Sequence, residues 1–379
     1  MSDKIEPHFN QEFLESLTYP TPFFIFSKKK ILDKYKQFKE NFHGAEIYYA
    51  MKANSEPTTL KVLMKAGSGF EVASVFELNI LKKIKVPPEK IIYGTAVKPA
   101  AHIKEFYEYG VRTFAFDSFQ ELEKISLTAP GSNVYVRISV NDTGSVFKFS
   151  AKFGTELENV VPMLQRAKAL GLNPYGISFH VGSQASNLMA WEQGLERIAV
   201  CLEHLSKVDI KIQIINIGGG FPCLYASTES NLELKEIAKN TLAYYKTLSY
   251  HPKLILEPGR GIIAEAGLLV ATVIERIERK GTTWLFLDAG VYNALYEAMA
   301  YQGSTRYKVT SLRPALNSGE MLYSLAGPTG DSPDIITKEA LLPQDITVGD
   351  RIIFHSTGAY SLVVSSSFNG FPRPDVYFI

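Results

Sequence analysis

A lysine at the end of an apolar run, Lys52, is the first residue of this sequence that suggests chemistry. It follows Tyr-Tyr-Ala-Met at residues 48–51. Burial disfavours a charged amine, so the pKa of a lysine in such a run should fall and its amine should become nucleophilic. A nucleophilic amine suits a covalent bond with an aldehyde cofactor. The alternative is a lysine that extends its amine into solvent at the end of a strand.

Three further motifs follow apolar runs. They are Phe-His-Val-Gly-Ser at 179–183, Gly-Gly-Gly at 218–220 and Glu-Pro-Gly-Arg at 257–260. Consecutive glycines let backbone N–H groups approach an anion, although a tight turn with positive φ also requires glycine. A buried carboxylate such as Glu257 needs a partner, which could be a pyridinium nitrogen or the guanidinium of Arg260.

The elements that must position these motifs alternate between strand-like and helix-like segments. Alternating strands and helices imply parallel pairing, and eight units match a (β/α)₈ barrel, with an open doubly wound sheet as the alternative. In a barrel the active site lies at the carboxyl ends of the strands, so the four motifs would share one rim. The predicted strands are residues 46–51, 69–72, 91–93, 113–116, 134–138, 176–179, 212–217 and 253–256, and predicted helices include 57–66, 75–83, 101–109, 157–169 and 190–206.

After residue 262 the pattern changes to strands without long helices between them. Gly and Pro separate these segments, which predicts a mainly antiparallel β domain that the strand-like run 22–27 joins. We expect a barrel domain over residues 26–262 and a β-sandwich-like domain, completing the active site, over 1–25 and 263–379. The predicted strands of this second domain are residues 268–277, 283–288, 306–309, 321–326 and 351–355.

The composition excludes several classes of partner. Forty basic and 39 acidic residues leave a net charge of +1, and no basic tract indicates nucleic acid. No apolar run approaches the length of a membrane span. The two cysteines, Cys201 and Cys223, form neither a disulfide framework nor a zinc motif, so we expect no metal. These features are typical of a cytoplasmic metabolic enzyme.

Taken together, the motifs predict pyridoxal 5'-phosphate as the cofactor. Its site requires a lysine for the covalent link, a group on the ring face, a phosphate cradle and a partner for the pyridine nitrogen. Lys52, His180, the three glycines and Glu257 with Arg260 provide these on one rim.

The sequence resembles the fold-type III pyridoxal-phosphate decarboxylases, whose barrel is of the alanine racemase type. The barrel motifs that carry the likeness are Tyr-Ala-Met-Lys-Ala-Asn (49–54), Gly-Phe-Glu-Val-Ala-Ser (69–74), His-Val-Gly-Ser (180–183), Gly-Gly-Gly-Phe-Pro (218–222) and Glu-Pro-Gly-Arg (257–260). Gly-Pro-Thr-Gly-Asp-Ser (327–332), Gly-Ala-Tyr (358–360) and Ser-Phe-Asn-Gly-Phe (367–371) resemble the ornithine decarboxylase branch rather than the diaminopimelate branch. The resemblance implies decarboxylation of a basic L-amino acid, ornithine or lysine, to a diamine in polyamine biosynthesis. It also implies a homodimer with shared active sites.

The resemblance also implies roles for particular residues. Lys52 would bind the cofactor covalently, His180 would stack on its ring, and Glu257 would pair with the pyridine nitrogen. Asp331 would hold the distal amine of the substrate. Glu77, in the helix after the second strand, would lie near the lysine without contacting the cofactor. The remaining candidates are Glu71, Arg137, Ser183, Gly219, Gly220, Gly259, Arg260 and Tyr360 around the cofactor, and Glu297 and Tyr301 around the substrate.

Two positions depart from the family pattern. Gly330 stands where the family has a cysteine associated with correct protonation of the carbon that loses carbon dioxide. Gln302, after Tyr301, stands where the eukaryotic members have an aspartate. Three alternatives therefore stay open: release of an aldehyde by decarboxylation-dependent transamination, a specialised diamino acid as substrate, and a non-catalytic regulatory homologue. An amino-acid racemase is disfavoured, because that group usually places an arginine at the position of Glu257.

Overall fold

The computed structural model describes residues 9–226, 232–300, 305–313 and 319–379. The strands are β1 Phe23–Phe26, β2 Glu46–Ala50, β3 Gly69–Val72, β4 Ile91–Tyr93, β5 Thr113–Phe116, β6 Asn133–Arg137, β7 Ser145–Phe147, β8 Asn173–Ser178, β9 Ser183–Ala185, β10 Ile214–Asn216, β11 Lys253–Leu256, β12 Gly267–Arg279, β13 Thr282–Leu287, β14 Val309–Ser311, β15 Glu320–Ala326, β16 Ile335–Pro343, β17 Arg351–Phe354 and β18 Asp375–Phe378. The helices are α1 Gln11–Glu15, α2 Lys28–Asn41, α3 Pro57–Lys65, α4 Val75–Lys83, α5 Ala100–Tyr109, α6 Phe119–Thr128, α7 Leu157–Ala169, α8 Ala190–Ser206, α9 Leu234–Tyr245, α10 Arg260–Ile263 and α11 Tyr296–Met299.

Eight strands form a closed parallel barrel in the order β2-β3-β4-β5-β6-β8-β10-β11, with β11 pairing back to β2. This confirms the predicted (β/α)₈ barrel and excludes the open sheet. β3, β4, β5 and β11 have the predicted bounds, and the other four differ from prediction by one to three residues at an end. Boundaries are the least reliable part of a prediction from sequence.

Side chains from several strands fill the interior of the barrel. Tyr48, Ile92, Ala115, Tyr135, Ile214 and Ile255 form one buried cluster. Glycine at 69 leaves room for the Tyr48 ring, because a Cβ atom there would lie 2.5 Å from a ring carbon. The interior is therefore packed, and the rim is the part of the barrel left for chemistry.

The second sheet is mixed, with the main path β14-β17-β12-β13-β15-β16 and with β1 pairing β12 and β18. Most of its pairs are antiparallel, as predicted, but β1–β18 and β13–β15 are parallel. The run at 22–27 joins this sheet as β1, whereas the segment predicted at 306–309 becomes a strand only from Val309. β16 and β18 were not predicted. A separate buried cluster includes Phe23, Leu268 and Ile353.

The contacts of the chain divide it into two compact units. One consists of the described residues within Met1–Asp33, Cys223–Asn231 and Ile262–Ile379, and the other of those within Lys34–Pro222 and Leu232–Gly261. The second unit contains the barrel. In the described part of the chain, no helix is both long enough and apolar enough to cross a membrane.

Candidate functional site

Lys52 lies in a short 3-10 turn, Met51–Ala53, directly after β2. Its Nζ donates a hydrogen bond of 2.8 Å to Oε2 of Glu71, near the end of β3. The Lys52 side chain is 41% exposed, whereas that of Glu71 is 3% exposed. Of the two interpretations of Lys52, this exposure agrees with the one in which the amine reaches solvent at the end of the strand. Only Met51 and Ala53 of the turn are buried, and a buried carboxylate orients an amine that solvent and a ligand can reach.

Glu77 lies in the first turn of α4, beside the Lys52–Glu71 pair. Ser74 caps this helix by accepting from the backbone N–H of Glu77, while Oε2 of Glu77 accepts from the N–H of Ala73 at 2.7 Å. Burial raises the pKa of Glu77 to about 7, with Glu71 adding to the shift and Lys52 opposing it. The predicted position of Glu77 near the lysine is consistent with these interactions.

Glu257 follows β11 and is held by the neighbouring strand. Nδ2 of Asn216, the last residue of β10, donates to Oε1 of Glu257 at 2.6 Å. Burial raises the pKa of Glu257 above its ordinary value, with Glu71 adding to the shift and Lys52 opposing it. The carboxyl group can therefore share a proton with a basic nitrogen near neutral pH.

The glycines at 218–220 form a close-packed turn after β10. Gly218 and Gly220 have φ of +66° and +91°. A Cβ atom on Gly219 would lie 2.6 Å from the carbonyl oxygen of Glu257 and 3.2 Å from Nε2 of His180. The turn therefore requires glycine, and the binding of a phosphate by its backbone N–H groups stays a prediction.

Ser183 and Arg260 lie next to this turn and are both buried. Nε of Arg260 donates to Oγ of Ser183 at 3.3 Å. Gly259 sits against the lysine turn, since its Cβ would lie 2.9 Å from Cβ of Ala53. A hydroxyl and a guanidinium together form a site suited to a phosphate.

His180 follows β8, and its Nδ1 accepts a hydrogen bond of 3.0 Å from the N–H of Gly182. Burial lowers the pKa of His180 well below its ordinary value, and the charges of Arg137 and Lys52 lower it further. The ring is therefore neutral, with its proton on Nε2. Arg137 ends β6, where burial lowers its pKa and Glu257 opposes that shift.

The barrel residues fit pyridoxal phosphate. A reachable lysine amine, a neutral imidazole, a half-buried carboxyl group of raised pKa and a glycine turn beside a serine–arginine pair match its four requirements. Among the described residues, no cluster of His, Cys, Asp and Glu could hold a metal ion.

The remaining candidates lie in the other unit. Asp331 is exposed and accepts a hydrogen bond from Oη of Tyr292. Gly330 is exposed, Glu297 is buried in α11, and Tyr360 follows β17 with a φ of +51°. Tyr301 lies outside the described residues.

Some residues that organise the site were not predicted. In the sequence, Asn216 was assigned only to the end of a strand. Its position two residues before the glycines could have indicated that its side chain contacts the glycine turn. Asp334 is buried and accepts hydrogen bonds from the N–H of Val291 (2.9 Å) and from Oγ1 of Thr329 (2.7 Å), which ties the loop bearing Asp331 to the loop after β13. The sequence around Asp334, which follows Pro333, did not indicate that its side chain joins two loops.

Comparisons with known proteins agree with the geometry of the barrel. The family model "Pyridoxal-dependent decarboxylase, pyridoxal binding domain" matches residues 28–264. The chain is 31% identical to a lysine/ornithine decarboxylase of Selenomonas ruminantium, covering 93% of this chain and 88% of that protein. It is 30% identical to antizyme inhibitor 2 of Xenopus laevis, covering 94% and 80% respectively. The crystal structure of the Paramecium bursaria Chlorella virus arginine decarboxylase bound to agmatine superposes with a TM-score of 0.90 at 27% identity, covering 97% of this chain and 98% of that one. The chain belongs to the pyridoxal-dependent decarboxylase family.

Proposed function

We propose that the protein decarboxylates a basic L-amino acid, ornithine or lysine, to the corresponding diamine and carbon dioxide. The main observation behind this proposal is that the Lys52–Glu71 pair lies on the same barrel rim as Glu257. Asn216 holds Glu257 in place by a hydrogen bond. A covalent anchor and a carboxyl group for the pyridine nitrogen are two of the groups that a pyridoxal-phosphate site needs from the protein. The lysine/ornithine decarboxylase of Selenomonas ruminantium supports the substrate class.

Pyridoxal phosphate, when bound, supplies an electron sink for the bond that breaks at the substrate Cα. Lys52 would hold its aldehyde carbon, and Glu71 keeps the Lys52 amine in place. Glu257, oriented by the hydrogen bond from Asn216, would accept a hydrogen bond from the protonated pyridine nitrogen. His180 would cover one ring face as a neutral group. Ser183, Gly219, Gly220, Gly259, Arg260 and Tyr360 would surround the phosphate, with Arg137 supporting the site.

For the substrate, we propose that Asp331, Glu297 and Tyr301 recognise the distal amine. An exposed carboxylate oriented by Tyr292 suits an ammonium group. We also propose a cytoplasmic homodimer with shared active sites that acts in polyamine formation. In it, residues 26–262 form the cofactor domain, and 1–25 with 263–379 form a β-sandwich-like domain that completes the active site. The family match to 28–264 supports the first of these boundaries.

Gly330 favours a second candidate, release of an aldehyde by decarboxylation-dependent transamination. Gly330 has no side chain that could donate a proton to the carbon that loses carbon dioxide. If the proton were added to the cofactor instead of to that carbon, hydrolysis by water would release an aldehyde and leave the amino group of the substrate on the cofactor. The likeness to antizyme inhibitor 2 keeps a non-catalytic role as a third candidate, although Lys52, His180, Glu257 and Arg260 are all retained.

The test is product analysis of the protein loaded with pyridoxal phosphate. It would be incubated separately with ornithine, lysine, arginine and diaminopimelate, and the products identified by mass spectrometry. A diamine from ornithine or lysine, abolished in Lys52→Ala and kept in the exposed-helix control Lys65→Ala, supports the main proposal. An aldehyde or cyclic imine supports the second candidate. Cofactor binding without turnover of any of these would overturn the decarboxylase proposal.

A further inference from the structure

We propose that residues 142–153, here named the aromatic strap, position three of the side chains expected to contact the cofactor. The strap begins after β6, includes β7 and lies wholly in the barrel unit. The inference deepens the proposed function, since it concerns how that same site is held. The residues that act are Phe147, Phe149 and Phe153.

Each of these rings lies against a different side chain of the site. The guanidinium carbon of Arg260 lies 5.1 Å from the centroid of Phe147, and that of Arg137 lies 5.1 Å from the centroid of Phe153. The rings of Phe149 and His180 meet edge to face, with centroids 5.1 Å apart and an interplanar angle of 73°. One segment thus contacts three side chains of the site, which indicates that it helps to hold all three in place.

Side-chain burial alternates along residues 145–150 of the strap, as it does in a strand with one face against the site. Ser145 and Phe147 are buried and Phe149 is half-buried, whereas Val146, Lys148 and Ser150 are exposed. Successive side chains of a strand point to opposite faces, so the aromatic face is the inner one. The outward residues provide matched controls within the same segment.

The strap is anchored at its beginning by Asp142. Oδ2 of Asp142 accepts from the N–H groups of Phe149 (2.6 Å) and Ser150 (2.8 Å), and Oδ1 accepts from Oγ of Ser150 (2.7 Å). Burial alone would raise the pKa of Asp142, but these hydrogen bonds together lower it. The carboxylate therefore stays ionised and holds the loop closed over Phe149.

A second anchor joins the strap to the segment that carries Ser183. β7 pairs with β9 in the register Ser145↔Ala185 and Phe147↔Ser183. Oγ of Ser145 also donates to the carbonyl of Val181 at 2.6 Å. Gly182 permits this approach, because a Cβ there would lie 2.5 Å from Cβ of Ser145. Phe147 is thus fixed beside both members of the Ser183–Arg260 pair.

The contacts have two physical consequences. The face of Phe147 favours one orientation of the Arg260 guanidinium, and a cation over a ring face is stabilised most when it is desolvated. The ring of Phe149 covers part of His180 and keeps water from it, which adds to the burial that holds that imidazole neutral. The charged groups that act on His180 are Arg137 and Lys52, and neither is removed by changes in the strap.

The first test measures the affinity of the full-length apoprotein for pyridoxal phosphate by fluorescence titration. Phe147→Leu keeps apolar volume but removes the ring face, and we expect the dissociation constant to rise roughly 3- to 30-fold. Phe147→Tyr should restore binding to within about twofold, and the outward control Val146→Ala should not change it. Equal affinities of Phe147→Leu and the parent protein would overturn the proposal for Phe147.

The second test needs no cofactor and so separates the strap from the proposed function. The side-chain pKa of His180 would be followed by NMR of histidine-labelled apoprotein, assigned by loss of the signal in His180→Gln. In the parent protein we expect His180 to stay neutral as the pH is lowered through about 6.5, whereas in Phe149→Ala the pKa should move up toward this ordinary value. Lys148→Ala should behave like the parent. If His180 in Phe149→Ala stays neutral over the same range, the positioning role of Phe149 is wrong. If the parent protein does not bind pyridoxal phosphate, the proposed function is wrong. The NMR titration needs no cofactor, so it still decides the role of Phe149.

Discussion

The side-chain amide of Asn216 bridges Glu257 and the glycine turn. Its Nδ2 donates to Oε1 of Glu257 at 2.6 Å, and its Oδ1 accepts from the N–H of Gly218 at 2.9 Å. The pyridine-nitrogen partner and the phosphate cradle, both proposed from sequence, are therefore held at a fixed spacing by one side chain at the end of β10.

Replacement of this amide by a carboxylate tests the bridge. In Asn216→Asp the shape is kept, but two carboxyl groups face each other and the donor to Glu257 is lost. We expect kcat/KM to fall about 10- to 100-fold, since hydrogen bonds to charged groups contribute about 1.5–3 kcal/mol. Steady-state assays with the best basic substrate would measure the change.

The control for this variant is Asn173→Asp. Nδ2 of Asn173 donates to Asn133 at 2.7 Å at the amino ends of β8 and β6, away from the rim. The same chemical change there should leave kcat/KM within about twofold. A similar loss in both variants would mean that the effect comes from general destabilisation rather than from Glu257.

The difference between Glu257 and Asn216 illustrates what could be predicted from sequence. Glu257, the glycines and Lys52 directly follow apolar runs, and parallel strands bring such positions to one rim whatever the details of the barrel. The role of Asn216 depends on the pairing of β10 with β11, in which Asn216 lies opposite Ile255, and no local pattern gives that register. The aromatic strap could not be predicted for the same reason. Its β7 is a three-residue strand that pairs with the equally short β9, and no local pattern gives that pairing. The exposure of Lys52 stayed open between two alternatives, because an apolar run does not say which side of the following turn faces solvent.

Glu77 makes the stability of the protein depend on pH. Its pKa is about 7 in the folded chain and 4.5 as its ordinary value. Between these values the unfolded chain releases the proton and the folded chain keeps it, so stability falls as the pH rises through this window. In Glu77→Gln the amide still accepts from the N–H of Ala73 and no proton is released. We therefore expect the variant to gain on the order of 3 kcal/mol of unfolding free energy relative to the parent between about pH 4.5 and 7.5.

Urea unfolding of the apoprotein at several pH values would measure this gain. The exposed Glu89→Gln serves as the control and should give a difference that does not change with pH. A constant difference for Glu77→Gln as well would show that Glu77 is ionised in the folded protein throughout this range.

The glycine cradle should not tolerate a side chain at its centre. The methyl group of Gly219→Ala would lie 2.6 Å from the carbonyl oxygen of Glu257, so the turn must shift. Overpacking of this kind amounts to about 1–3 kcal/mol, and we expect the dissociation constant for pyridoxal phosphate to rise roughly 10- to 100-fold. Gly330→Ala is the matched control, because no atom of a described residue, chain neighbours aside, lies within 4 Å of its added Cβ. Unchanged cofactor affinity in Gly219→Ala would contradict the assignment of the cradle.

Because Gly330 has no side chain, adding a thiol at this position should lower the aldehyde fraction of the products. The position is exposed, its φ lies outside the left-handed region and a Cβ has open space, so Gly330→Cys should fold with an unchanged melting temperature. A thiol has an ordinary pKa of about 8.5 and can donate a proton near neutral pH, whereas the methyl group of Gly330→Ala cannot. We therefore expect the aldehyde fraction among the products to fall severalfold in Gly330→Cys and to stay at the parent level in Gly330→Ala, as measured by mass spectrometry of the reaction mixture. Equal aldehyde fractions in the two variants would mean that another group protonates the carbon that loses carbon dioxide, and that the glycine at 330 is not the reason for any aldehyde released.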